Sequence, residues 1–251
     1  MKRNFVMALL LASAIVFTAC QKDDLGTTGP SSLGVKIEAV NKSYSLPVSG
    51  DLKSAAATNA TVTWDTARML VSQIKFEAEL KSLVTHRDSI EIEYKWTGPK
   101  WIDLLNDQVV LGNFLLQPGL YDEIELKVYG DHDDAGKKPV FFMSGNYTND
   151  ENTKIPVEIK VYNDVLFKTE RDSVTVTEES IDITSYIQIY LDELLVGIDP
   201  EMLDDAKLTG GVIIISSDSN REIFFTIMKN LVKNHKCYYE HKGKKKKKGD
   251  D

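Results

Sequence analysis

The chain has 251 residues, 42% hydrophobic and 27% charged, enough apolar material for one large or two small globular domains and too balanced for a low-complexity or disordered chain. Its formal net charge is −8; setting aside the two cations Lys2 and Arg3 and the net +4 of residues 242–251 leaves a body of −14. That balance argues against a nucleic-acid partner, because neutralising phosphates takes clustered Lys and Arg, and it suits a protein that repels other anionic surfaces.

Residues 1–20 read MKRNFVMALLLASAIVFTAC. Lys2 and Arg3 make a positive start, Phe5 to Phe17 is an apolar run, and Thr18, Ala19 and Cys20 close it. The run is shorter than the roughly 20 residues a helix needs to cross a hydrocarbon core, so it reads as a signal segment. An ordinary cleaved signal peptide or a retained signal anchor are the competing readings. The ending resembles the lipobox of bacterial lipoproteins, although Phe17 stands where that family prefers Leu. The resemblance implies that Cys20 receives a diacylglycerol, that cleavage falls between Ala19 and Cys20, and that the new amine can be acylated by a chain such as palmitate. Each buried methylene adds about 0.8 kcal/mol of membrane affinity, so two or three chains form a permanent anchor.

Gln21, Lys22, Asp23 and Asp24 follow at once. They resemble the export signal of surface lipoproteins in the Bacteroidetes type of envelope, which implies display on the outer face of the outer membrane; a generic polar tether is the plainer reading. Residues 25–32 have linker composition. With Cys20 taken by lipid, Cys237 has no partner in the chain, and no intramolecular disulfide is expected.

From Gly34 the dominant period is two. Val35, Ile37 and Ala39 alternate with Lys36 and Glu38; Ile90, Ile92, Tyr94 and Trp96 alternate with Glu91, Glu93 and Lys95. The same holds for Ile124, Leu126 and Val128, for Val157, Ile159 and Val161, and for Ile187, Ile189 and Leu191. Further strands are expected over 61–66, 70–80, 139–147, 164–169 and 172–177, with turns at Thr97-Gly98-Pro99, Gln117-Pro118-Gly119, Asp134-Ala135-Gly136 and Tyr162-Asn163-Asp164. Strands with one wet face and regular punctuation predict a mainly β fold, an antiparallel β-sandwich. A small C-terminal α/β appendage follows, with a helix over 200–206 capped by Asp199 and opened by Pro200, a break at Gly210-Gly211, and an apolar strand Val212 to Ile215. A second helix then runs from Ser219 or Asn220 to about Asn234, with Ile223, Phe224, Ile227, Met228 and Leu231 on one face. The expected organisation is a signal peptide over 1–19, a lipidated Cys and tether over 20–33, the sandwich over 34–197, the appendage over 198–235 and a lysine-rich tail over 236–251.

Trp101-Ile102-Asp103-Leu104-Leu105, then the run from Leu116 through Gln117-Pro118-Gly119-Leu120-Tyr121 to Leu126, resemble uncharacterised transthyretin-like β-sandwich lipoproteins of Bacteroidetes-type bacteria. The order of the chain's end, strand, Gly-Ile-Asp-Pro helix, Gly-Gly, strand and helix, resembles them too. The resemblance covers most of residues 34–234 and implies a fold and an address, with no activity attached. Gly119 is expected to permit a turn, and Tyr121 to start a strand with its ring at the sandwich edge.

Catalytic motifs are missing from the sequence. His86, His132, His235 and His241 show no zinc-helix spacing. His235, Cys237 and His241 cluster near the end, and Asp131-His132-Asp133-Asp134 is an acidic loop without the spacing or terminal Glu of an EF-hand. No Gly-x-Ser-x-Gly or phosphate loop appears, and Glu178-Glu179 and Asp204-Asp205 are adjacent pairs that a strand would point apart. Trp64, Trp96 and Trp101 pack in a core or at a sheet edge, or line a carbohydrate platform. The expectation is a non-enzymatic, lipid-anchored outer-membrane protein at the cell surface, with no cofactor and no metal, that binds a protein or a glycan. A structural subunit of a surface appendage or a polysaccharide hydrolase are the alternatives.

Overall fold

The computed structural model describes residues 31–46, 60–81, 89–105, 110–131, 138–177, 183–233 and 235–241. The elements in chain order are β1 Ser31–Val40, β2 Ser43–Ser45, β3 Thr61–Lys81, β4 Ser89–Asp103, β5 Val110–Leu116, β6 Gly119–Gly130, β7 Phe141–Thr148, β8 Lys154–Val161, β9 Val165–Val176 and β10 Ile183–Tyr190. A 3-10 turn Glu193–Leu195, α1 Pro200–Asp204, β11 Leu208–Thr209, β12 Val212–Ile215, α2 Arg221–Lys233 and β13 His235–His241 complete the chain.

The fold is mainly β, as the alternation predicts. One sheet has the order β13-β10-β1-β5; the larger runs β11-β12-β8-β7-β3-β6-β9, with β2 and β4 also on β3. The sheets are mixed, because β1 runs parallel to β10 and β12 parallel to β8. They face each other through an aromatic contact: Phe76 of β3 stacks on Phe114 of β5 with centroids 5.0 Å apart, and Tyr94 of β4 covers the same ring at 5.3 Å. One contiguous apolar core joins Val35, Ile37, Phe76, Leu126, Phe141, Ile159, Phe167 and Ile187.

The two strands expected over 61–66 and 70–80 are one strand of 21 residues, β3. Its register slips between Trp64 and Thr66 against β7 and between Val71 and Gln73 against β4. Each slip is a bulge that reverses which side chains face the core. Val62 and Trp64 are buried, then Ala67, Met69 and Val71, then Ile74, Phe76 and Ala78. β7 flanks the first half of β3, β6 the second, and β4 spans the change.

Thr97-Gly98-Pro99 does not end β4. Among the described residues this strand pairs only with β3, and an edge tolerates a Pro that donates no hydrogen bond. Gly98, at φ 140°, sits where the register slips. β9 likewise joins 164–169 to 172–177 through Ser173 at φ 55°. The Gln117-Pro118 turn links β5 to β6, and Tyr121 is fully buried rather than at the sandwich edge. Its hydroxyl donates to the Gln117 carbonyl at 2.8 Å. Gly119 lies outside the left-handed region; its small size matters because a Cβ would sit 2.4 Å from Leu80 Cδ1.

At the chain's end, Asp199 caps α1 by accepting from the Glu201 N–H at 3.1 Å, with Pro200 in the first position. α2 buries Ile223, Phe224, Ile227 and Leu231 against the core. Asn220 enters α2 at φ 51°, and its side chain clamps two neighbouring segments: Oδ1 accepts from Lys207 N at 2.9 Å, and Nδ2 donates to the carbonyls of Lys207 and Ile214. β12 extends the larger sheet beyond β8, and β13 pairs with β10 at residues 235–241, all but the first of which were expected in the lysine-rich tail.

Candidate functional site

The outer face of the larger sheet carries the chemistry that the described residues offer. Four neighbouring strands, β4, β3, β6 and β9, present pentapeptides of period two: Glu91-Ile92-Glu93-Tyr94-Lys95, Lys75-Phe76-Glu77-Ala78-Glu79, Glu123-Ile124-Glu125-Leu126-Lys127 and Lys168-Thr169-Glu170-Arg171-Asp172. Antiparallel pairing aligns like with like. Lys95, Lys75, Lys127 and Lys168 form one row across the sheet; Glu93, Glu77, Glu125 and Glu170 the next; Glu91, Glu79, Glu123 and Asp172 the last.

Like charges directly opposite one another destabilise a sheet, and here they are relieved along the strands. Lys75 reaches Glu77 at 2.6 Å and Glu93 at 3.7 Å, Lys127 reaches Glu77 at 3.2 Å and also pairs with Glu125, and Lys168 pairs with Glu125 and with Glu170 at 2.8 Å. The Lys75 hydrogen bond, helped by Lys127, pulls the Glu77 carboxyl down to about 2. Lys168 is held charged well above the ordinary lysine range by Glu125 and Glu170. Among the described residues no ion pair relieves the last row. Burial first, then Glu170, Glu125 and Glu79, push the Glu123 carboxyl up.

A shallow cleft of about 140 Å³ opens between Glu77, Ala78, Glu79, Glu91, Glu123 and Glu125. Carboxylate oxygens of Glu77, Glu91 and Glu93 lie within 4.8 Å of one another, as do those of Glu123, Glu170 and Asp172. A nearly flat sheet face offers ligands from one side only, so a calcium ion there would keep much of its shell of six to eight oxygens as water.

The same outer face has a different character beside the first half of β3. Arg68 lies in register between Asp103 of β4 and Phe142 of β7, and Phe142 in turn faces Lys160 of β8. Arg68, Trp101, Pro139 and Phe142 line an open groove of about 180 Å³. Trp101 is 38% exposed and Phe142 partly so. Arg68 has no hydrogen bond or ion pair among the described residues, whereas Lys160 pairs with Glu158 at 2.7 Å and Asp103 Oδ1 accepts from Leu105 N at 3.1 Å.

No protein-family model, curated protein or solved structure matches the chain.

The resemblance to transthyretin-like lipoproteins therefore rests on the residues quoted for it. Ala19, Cys20, Gln21, Lys22, Asp23 and Asp24 lie outside the described residues, as do His86, His132 to Asp134 and Glu178-Glu179. Asp131 is described and exposed, and it accepts from Ser72 Oγ at 2.8 Å. His235, Cys237 and His241 are placed by their backbone opposite Ile189, Ile187 and Ile183; their side chains lie outside the described residues. Asp204 accepts the Tyr147 hydroxyl at 2.9 Å and ties α1 to β7.

The three tryptophans separate. Trp64 is core, with its indole N–H lacking an acceptor among the described residues. Trp96 is partly buried and lines a crevice of about 130 Å³ with Val71, Ile74, Lys100, Ile102 and Leu111. Trp101 alone of the three joins the outer groove. Sequence reasoning missed Arg68, Pro139 and Phe142, which only the pairing of β3 with β7 brings to Trp101. It also missed the charge rows, whose signal was present: Glu-Glu-Lys runs forward in β4 and β6 and backward in β3 and, with Asp172 for one Glu, in β9. Among the described residues no helix is long and apolar enough to cross a membrane.

Proposed function

We propose that the chain is a lipid-anchored outer-membrane protein, displayed at the cell surface, whose β-sandwich binds a glycan without turning it over. The groove of Arg68, Trp101, Pro139 and Phe142 carries this reading. A flat, partly exposed indole stacks on the apolar face of a sugar ring, and the adjacent guanidinium offers five N–H donors to hydroxyls. Among the described residues the lining of this groove includes no carboxylate, whereas glycoside hydrolysis uses a pair of them. The anchor reading rests on the run ending at Cys20, the surface reading on Gln21 to Asp24, and a linker over 25–30, shortened from the expected 25–32 because β1 begins at Ser31, would hold the sandwich clear of the membrane.

Immobilised glycans offered to the detergent-solubilised chain test the binding. Retention of defined oligosaccharides is expected, with Trp101→Ala abolishing it; unchanged retention in that variant would remove the groove from the account. For the anchor, labelled palmitate should enter the wild type and not Cys20→Ala. Protease shaving of intact cells should remove the domain, and protection until the envelope is opened would place it inside.

A second reading, a subunit of a surface appendage, is favoured by β9, a strand of 12 residues that closes the larger sheet and pairs only with β6 among the described residues. An open edge of that length can add a strand from another copy. Light scattering on the purified chain distinguishes the two: a ladder of polymers supports assembly, and a strict monomer supports the binding module.

A further inference from the structure

We infer that the groove recognises a glycan whose terminal sugar carries a single carboxylate, an inference that rests on the glycan-binding reading above. Two cations, Arg68 and Lys160, flank Phe142 in one register row. Within the register row Asp103, Arg68, Phe142, Lys160, the lysine is already paired with Glu158, and one oxygen of Asp103 is engaged by the backbone of the following turn. Arg68 is left as an exposed guanidinium with no partner among the described residues, against an indole and a phenyl ring. Elsewhere on this face the pattern is the reverse: Lys75 and Lys127 are each shared between two carboxylates.

A planar guanidinium matches a carboxylate with two parallel hydrogen bonds, which an ammonium cannot reproduce. Stacking on Trp101 would fix the ring while Arg68 holds the acid group at its edge. The number of carboxylates follows from the rest of the molecule. The body carries a net charge of −14, and the acidic rows lie on the same sheet face as the groove. A polyanion extending from the groove would meet that field, whereas a single acid on a neutral chain fits within about a Debye length of Arg68, roughly 8 Å at physiological salt. The ligand is thus a neutral oligosaccharide ending in one acidic sugar.

The test is calorimetric titration of the detergent-solubilised full chain with two trisaccharides of glucose, one ending in glucuronic acid and the other in glucose, and with a polyuronate. A charge-assisted pair of this kind corresponds to roughly tenfold to a hundredfold in affinity. The acid-ended trisaccharide should bind tighter than the neutral one by that factor, and tighter per site than the polyuronate. Arg68→Met should erase the preference while leaving neutral binding in place, and Arg68→Lys should restore only part of it. Equal binding of both trisaccharides to the wild type, with Trp101→Ala still losing both, would overturn the carboxylate inference and leave the glycan reading standing. A preference that survives in Arg68→Met, or stronger binding of the polyuronate, would overturn it as well. If neither trisaccharide nor polyuronate binds, the glycan reading falls and the inference falls with it.

Discussion

Gly145→Ala offers the sharpest test of the long bent strand. Gly145 of β7 lies in register with Trp64 of β3, at the first bulge. A Cβ built there would sit 2.1 Å from the carbonyl oxygen of Thr63 and 2.8 Å from the Cα of Trp64. Carbon and carbonyl oxygen ordinarily touch at about 3.3 Å, so the strands would have to part by about 1 Å where backbone meets backbone. Nothing in that contact is the free end of a flexible side chain. The buried Trp64 would be displaced as well. Overpacking of this kind costs roughly 1–3 kcal/mol and more where backbone must move, so about 3 kcal/mol is expected. For a chain of this size that is about 6–12 °C in Tm. Urea denaturation followed by tryptophan fluorescence reads it directly. Gly112→Ala is the control, because its Cβ would meet nothing closer than Phe114 Cζ at 3.4 Å. It should be neutral or gain up to about 1 kcal/mol by restricting the unfolded chain. A Gly145→Ala loss no larger than that of Gly112→Ala would refute the close approach of β7 to the bulge.

Other substitutions probe the charge rows and the C-terminal clamps. Glu77 is depressed to about 2 when folded, below an unfolded carboxyl near 4.3. Its ion pairs therefore stabilise fully above the unfolded value and are lost as pH falls through the folded one. Glu77→Gln should lower Tm at neutral pH, and the gap from wild type should close between about pH 4.5 and 2. Glu123 has the opposite sign: its folded value is raised, so Glu123→Gln should raise Tm at neutral pH and the gain should vanish below the ordinary carboxyl range. Tyr147→Phe removes the hydroxyl that bonds Asp204, and should cost about 1–2 kcal/mol, with faster amide exchange in α1 as its local signature. Asn220→Ala loses the bonds to Lys207 and Ile214 while keeping φ 51°, and about 2–3 kcal/mol is expected by denaturation. Asn220→Gly should cost about 1 kcal/mol less, because glycine adopts that backbone without strain.

What the sequence made legible follows from where alternation stays in phase. β1 and β8 keep one phase throughout and β6 keeps one from Ile124 onward, and their core residues Val35, Ile37, Leu126, Val128, Val157 and Ile159 were readable in advance. β9 loses phase at Ser173, where Val165 and Phe167 face inward on one side and Val176 on the other. A period-two reading sees two strands there because nothing in a local pattern distinguishes a change of phase within one paired strand from a turn. β5 was missed because Val110-Leu111-Gly112-Asn113-Phe114 does not alternate, and only the ring of Phe114 stacked on Phe76 accounts for its place. The helix caps were legible, since Asp199 and Pro200 act within three residues. Asn220 was read as a cap, yet its side chain serves the segment at Lys207.

The two bulges of β3 decide where the groove can exist. Without them the phase set by Val62 and Trp64 would run unbroken, and Arg68 would point into the core. The bulge at Asp65 inverts the strand, so that Ala67, Met69 and Val71 turn inward and Arg68 turns out toward Phe142. The second, at Ser72, inverts it again and returns Lys75, Glu77 and Glu79 to the face where the charge rows assemble. The first and last stretches of β3 thus share one phase, and only residues 66–71, between the bulges, are reversed. Burial of Ala67, Met69 and Val71 is enough to drive that reversal, because a strict alternation would bury a guanidinium and expose three apolar side chains. Arg68 is therefore fixed by core packing at its flanks, and the groove it forms with Trp101 and Phe142 rests on the hydrophobic order of the strand beneath it.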